Sequence, residues 1–474
     1  MIEVSFNSLT TITAISQGYL KMSEYKYRIE EDSIGCLEVP AYALYGVQTQ
    51  RAILLYPLNG EKPLSAYPDL LRGLLKVKKL AALINIETKE IEPEMGQAIV
   101  FAVDRLLEKM PVEQFQVHAF HGGGGISSNM NLNEVIANLS NQDVFNKPLG
   151  SYYPIHPNDH VNLNNSTSDV LSTACHLAVI DKRKELIGVL KGLINTFEAQ
   201  AEKWKDVFKI SRTCLQDAVD ISFADMFGGY SSLLKRNQQR LESSIDELYK
   251  INFGGNIIGR KGDCSDAFFE KIIGNLNDME ASEHFAHNDN LFDASQSNDD
   301  LAKVAADLDQ LARALLRIAK DFRLMASGPE AGFGEIILPA VQPGSSAMPG
   351  KVNPTIPEYL VQCSMQACGR CYAVQMTQDH GELDYTPWQS IVISNLLDAM
   401  SVLTSGMEAF SKHCLSGVEP DMKRNKSNVN TLIPTLIRLK KAHGYSFTAR
   451  IYKETGGDLE KIRRYLKNKI RKEG

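Results

Sequence analysis

Between Gly344 and Pro354 the chain reads GSSAMPGKVNP, which gathers two adjacent hydroxyls (Ser345 and Ser346), the ammonium of Lys351 and the amide of Asn353 into one short segment. Gly344, Pro349, Gly350 and Pro354 fix a tight, irregular backbone around them. That combination suits a dicarboxylate. A hydroxyl surrounded by cationic and backbone donors is biased toward alkoxide and can serve as a base, while the cation stabilises charge developing on a substrate carboxylate. On residue types alone, an ordinary loop with a serine and a lysine fits equally well.

Other loops rich in Gly, Pro, Asn and Ser are HGGGGISSNMN at 121–131, HPNDHVNLNNSTSD at 156–169 and the stretch 328–354 that contains the first segment. Backbone N–H groups and short hydroxyls in such loops converge on anions, so the chemistry is expected there. HGGGG and GFGEI lack the strand–turn–helix context and the lysine that a phosphate cradle requires.

The elements that position these loops are long helices. Leu301, Val304, Leu308, Leu311, Leu315, Ile318, Phe322 and Met325 recur at spacings of three and four, as a packed helical seam requires. Similar patterns cover 170–205, 228–250, 356–377 and 390–412, while strand signals are weak. The chain is mainly α. Its expected divisions are an amino-terminal extension over 1–27, an amino-terminal domain over 28–165, a helical bundle over 166–419 and a small carboxy-terminal helical domain over 420–474. Within the extension, the sequence starts afresh at Met22.

Composition narrows the function. Fifty-one Lys and Arg against 57 Asp and Glu give a net charge of −6, so no nucleic-acid partner is expected. The basic run KIRRYLKNKIRK near the carboxy terminus reads as a solvated helix face. No apolar stretch of about 18 residues free of charge stands out, and the amino terminus is a poor signal peptide, so a cytoplasmic protein without a membrane partner is expected. Of eight cysteines, Cys363, Cys368 and Cys371 have a C-x4-C-x2-C spacing found in iron–sulfur sites. Their apolar helical surroundings favour small core residues instead, and no metal site is expected.

GSSAMPGKVNP matches, nearly residue for residue, the long signature of the aspartase/fumarase superfamily. RIEEDSIGCLEVPAYALYGVQTQRAI at 28–53, SSNMNLNEVIANL at 127–139, HPNDHVN at 156–162, RTCLQDAV at 212–219 and FDASQSNDD at 292–300 are similar to further family blocks, in the family's order. The resemblance extends from about residue 28 to about 455 and is closest to aspartate ammonia-lyase, with class II fumarase next. It implies three domains around a central long-helix bundle, a homotetramer whose active sites each draw loops from three subunits, and no organic cofactor. It also implies a lyase that eliminates ammonia or an amine from aspartate or an aspartate-like substrate to give fumarate. Ser345 would then be the general base, Ser346 would bind the carboxylate that becomes charged, and Lys351 and Asn353 would hold the other carboxylate. Thr213 would reach the leaving group, and Ser166 with Thr167 would complete the carboxylate pocket. Helix capping is an equal expectation for Ser166 and Thr167, because Asp169 follows them.

Departures fall on functional positions. Cys214 stands where fumarases and many aspartases have His and other aspartases Gln; a thiol is a modest acid and a weak hydrogen-bonding group. Glu358, which matches the carboxylate orienting that His, is left without an imidazole to orient. Ile126 replaces a Thr hydroxyl, Ser168 an Asn at the leaving group, Leu163 a Lys and Glu330 an Arg. Each lost donor to a carboxylate costs on the order of 1–3 kcal/mol. An altered substrate with a bulkier or less charged leaving group is therefore expected. Fumarate hydration and a catalytically weak dicarboxylate-binding paralogue are the alternatives.

Overall fold

The computed structural model describes residues 27–282, 284–381 and 383–473, so the expected extension lies outside the described residues except for Tyr27, which opens a strand. Strands β1 (Tyr27–Asp32) and β2 (Gly35–Pro40) form an antiparallel hairpin. Helices α1 (Val47–Leu55), α2 (Pro68–Glu87), α3 (Pro93–Glu108) and α4 (Ile126–Asp143) follow. Next come α5 (Thr167–Lys203), the antiparallel pair β3 (Phe208–Thr213) and β4 (Gln216–Ser222), and α6 (Phe223–Glu247). The rest is helical apart from two-residue bridges: α7 (Asp266–Glu280), α8 (Leu291–Gln296), α9 (Asp299–Met325), α10 (Thr355–Met376) and α11 (Gln389–His413). The chain ends in α12 (Met422–Asn428), α13 (Leu432–His443), α14 (Tyr445–Thr455) and α15 (Leu459–Glu473).

The five long helices expected from periodicity are α5, α6, α9, α10 and α11. Only α6 begins well before its expected start, at Phe223 rather than 228, and the reason is local. The Ser222 hydroxyl accepts the Asp225 N–H at 3.0 Å while the Asp225 carboxylate accepts the Ser222 N–H at 3.0 Å, a reciprocal cap that sets the helix going directly from β4. Helix α11 and the turn after it, Gln389–Gly417, contain a span apolar enough to cross a bilayer (mean hydropathy 1.3), which reading for charge-free stretches missed. About two-thirds of that span (67%) is buried within the protein, as in a core helix.

The chain forms two compact units, one from the residues up to Asp181 with Asp246–Ala302 and Ala373–Leu397, the other from Lys182–Ile245, Lys303–Tyr372 and Asp398 onward. In the first, α4 is buried from Ser127 through Asn141, polar residues included. Its asparagines act as internal clamps, since buried amides must find partners. Asn131 donates to the Gln114 carbonyl (2.9 Å), Asn138 to Leu44 (2.8 Å) and Asn141 to Ile155 (2.8 Å). The buried Glu134 carboxylate accepts the N–H groups of Gly46, Gln48 and Thr49 at 2.9–3.1 Å, fixing the start of α1 against α4.

In the second unit the bundle core is aromatic. Phe197 lies 6.2 Å from both Phe227 and Phe322, and Phe322 lies 5.0 Å from Phe410, centroid to centroid. The seam residues of α9 are buried throughout. A small separate core of Leu439, Ile451 and Ile462 holds the carboxy-terminal helices together. Cys363 and Cys371 are buried in α10 and Cys368 is half-buried. Burial pushes their thiols up, Cys371 to about 12 and Cys368 to about 11, as expected of small core residues. Among the described residues no three His, Cys, Asp or Glu side chains gather as a metal site.

Candidate active site

The signature segment is a loop closed on itself. The Gly344 N–H donates to the Lys351 carbonyl (2.8 Å), and the Asn353 side-chain amide donates back to the Gly344 carbonyl (2.6 Å). Gly344 is required here: a Cβ would sit 2.6 Å from the Lys351 carbonyl oxygen and 2.7 Å from the Asn353 nitrogen. Gly350 turns the loop with a φ of 81°. Within this ring the Ser345 oxygen accepts two backbone N–H groups, from Ala347 at 3.1 Å and Met348 at 3.0 Å. Two amide dipoles aimed at one hydroxyl oxygen favour its deprotonated form, as an oxyanion hole does. Ser346 and Lys351 are exposed on the same loop, and Ser345 and Asn353 are half-buried.

Thr213 and Cys214 lie at the tip of the β3–β4 hairpin. Thr213 pairs with Gln216, so Cys214 and Leu215 form a two-residue loop in which both residues have positive φ, 52° and 61°. This is the sense of turn that matches strand twist, here built without glycine or asparagine at a cost of about 1–2 kcal/mol per residue. The tip is exposed and the base is anchored. Fully buried Glu335 pairs with Arg212 at 2.6 Å and Lys209 at 3.1 Å, both on β3. Glu358, in the first turn of α10, pairs with Arg323 at 3.2 Å, so its carboxylate has a partner although no imidazole stands at 214.

The remaining candidates come together in the first unit. Gly123, Gly124 and Gly125 have φ values of 80°, 61° and 95° and deliver the chain into α4 at Ile126, which is 43% exposed. A Cβ on Gly125 would collide with Leu171 and sit 3.6 Å from Thr167, so the glycines let this loop rest on the start of α5. The Asn129 amide donates to the Thr167 hydroxyl at 3.1 Å and to the Asn162 oxygen at 3.0 Å. Asp169 caps α5 by accepting the Ser166 N–H at 2.9 Å, and its other oxygen accepts the N–H groups of Gly254 and Asn256, both at 3.0 Å. Ser168 is buried with its hydroxyl unpartnered among the described residues.

Beneath these helix starts lies fully buried Lys78, donating to Asn162 and Asn165 at 2.9 Å each. Burial pushes its ammonium down to about 7, against the opposing pull of Asp169; burial pushes the Asp169 carboxyl up to about 7, against its three backbone donors and Lys78. No side chain caps α4 at Gly125; the Ile126 N–H donates to the Gly123 carbonyl at 3.3 Å, which leaves the next N–H groups of the first turn facing the glycine loop.

A lyase family model matches residues 35–369. The chain is 36% identical to the aspartate ammonia-lyase of Bacillus subtilis over 90% of this chain and 89% of that one. It is 34% identical to the class II fumarate hydratase of Nitrosomonas europaea over 92% and 93%. The chain belongs to the aspartase/fumarase superfamily. Its fold agrees with that of a fumarate lyase from Brucella melitensis crystallised with cobalt, with a TM-score of 0.89, 36% identity and coverage of 93% and 96%. As an aspartase/fumarase-type lyase it is mainly α with long bundle helices. Reading the sequence for this superfamily's signature found the loop and the RTCLQDAV block but not Lys78, Glu335 or His121. Lys78 lies in the apolar run LLKVKKLAAL, where nothing separates an interior lysine from its exposed neighbours. His121 lies beside the glycine loop, its Nε2 3.0 Å from the Ser128 hydroxyl.

Proposed function

We propose that the protein removes an amine from an aspartate-type substrate to give fumarate, with Ser345 as the base. The observation that carries this reading is the pair of backbone N–H donors on the Ser345 oxygen. The Ser345 oxygen takes the proton from the carbon adjacent to one carboxylate, and the electron pair left behind spreads onto that carboxylate as an aci-anion. It then forms the double bond as the C–N bond breaks and nitrogen departs with its electrons. Ser346 meets the carboxylate that gains charge, and Lys351 and Asn353 hold the other. The starts of α4 and α5, with Ser166 and Thr167, complete the anion site.

Cys214 favours nitrogen over oxygen as the leaving atom. An alkylammonium already carries the proton it needs to depart as a neutral amine, whereas a hydroxyl must be protonated as it leaves, and a thiol is a poor substitute for imidazole in that task. Fumarate hydration remains the second reading, supported by the fumarate hydratase relatives. A cytoplasmic homotetramer that combines the α4–α5 half-site of one subunit with the Ser345 loop of another belongs to the same proposal. The test is fumarate ultraviolet absorbance after adding aspartate, N-substituted aspartates or malate, with Ser345→Ala as control. Faster release from malate than from every aspartate would favour the hydratase. Thermal stabilisation by a dicarboxylate without turnover would favour a binding paralogue.

A further inference from the structure

Two cavities of about 370 and 510 Å³ meet at Leu55, Tyr56 and Gly122, beside the glycine loop. Ile126 lines the first; Phe120, His121, Trp388 and Ile391 line the second. Leu55, Ile126 and Phe120 are 65%, 43% and 42% exposed, so apolar surface faces both cavities. Their combined volume exceeds what ammonia requires and is typical of a site for a larger organic group. From this we infer that the leaving group is a primary amine bearing an aromatic or branched apolar substituent. The substituent lies along Ile126 and Tyr56 and reaches toward Trp388.

The inference rests on the amine-elimination reading and specifies its substrate class. An apolar wall at Ile126 gains from covering such a substituent. The chemistry balances as in the parent reaction. In the addition direction the amine nitrogen bonds to one alkene carbon of fumarate, and a proton returns from the Ser345 hydroxyl to the other.

The test follows fumarate loss with ammonia, methylamine, benzylamine and cyclohexylamine as nucleophiles. Wild-type protein is expected to use benzylamine or cyclohexylamine with a kcat/KM at least about tenfold above ammonia, the gain from burying one such group. Ile126→Thr and Trp388→Ala are each expected to lower the benzylamine-to-ammonia ratio about tenfold, and the ratio is insensitive to the amount of folded enzyme. Ammonia preferred by wild type overturns the inference and leaves the amine-elimination reading intact. Failure of every amine, ammonia included, overturns both.

Discussion

The Ser345 oxygen is tuned by the two N–H groups that point at it, and one of them can be removed without touching a side chain. Replacing Ala347 by its α-hydroxy acid turns that amide into an ester, which deletes the donor 3.1 Å from the oxygen and leaves the Met348 donor at 3.0 Å. A hydrogen bond to a charged oxygen contributes about 1.5–3 kcal/mol, so kcat/KM for elimination should fall roughly 10- to 150-fold. The same loss raises the pKa of the hydroxyl, so the rising limb of the pH–rate profile should move up by about one to two units. The same ester at Gly350, outside the pair of donors, serves as the control for loop damage. Initial rates across pH, together with the isotope effect for a substrate deuterated at the carbon that loses its proton, separate slower proton abstraction from slower loop motion. An unchanged profile at Ala347, or equal losses at both positions, would refute the role given to these donors.

Glu335→Ala should lower stability by about 3–5 kcal/mol in denaturant titrations, because it leaves buried Lys209 and half-buried Arg212 of β3 without their counter-charge. Buried His176 and half-buried Asp300, 3.0 Å apart, give the stability a pH dependence. Burial opposes charging of the imidazole but Asp300 outweighs it and raises the His176 pKa; burial likewise opposes the Asp300 carboxylate but His176 outweighs it and lowers that pKa. The histidine's contribution is thus complete below the unfolded value of about 6.5 and lost as pH rises through the folded one. The aspartate's contribution is present above its usual value and lost as pH falls, so His176→Gln should flatten the alkaline decline in thermal melts. Cys214→His supplies an acid at the hairpin tip and should raise malate dehydration relative to amine elimination by about tenfold or more, read from the two fumarate assays. Mixing Ser345→Ala with Thr167→Val subunits should restore part of the activity that each lacks alone, whereas no recovery would place both halves of the site in one chain.

Periodicity located the bundle because a seam such as Leu301 to Met325 carries its burial pattern in its spacing. It failed on α4, where burial is nearly complete and asparagines occupy interior positions, so no amphipathic stripe exists to be read. The hairpin was also hidden: Cys214 and Leu215 carry none of the glycine or asparagine that marks a two-residue turn, and the ion pairs holding β3 come from Glu335, more than a hundred residues later. Ser345, Ser346, Lys351 and Asn353 were legible because they share one short loop and need no long-range contact to be brought together. The Lys78 network needed the fold, since its members are spread from residue 78 to residue 169.

The hydrogen bonds that close the neck of that loop also govern how it can travel. With Gly344 clasped to Lys351 and Asn353, the strip between them is tied into one unit, and any displacement that keeps both hydrogen bonds carries Ser345 and Lys351 together. Under the proposed mechanism, hydroxyl and ammonium would then meet the substrate in the same stroke, and whatever slows that stroke would slow every turnover alike.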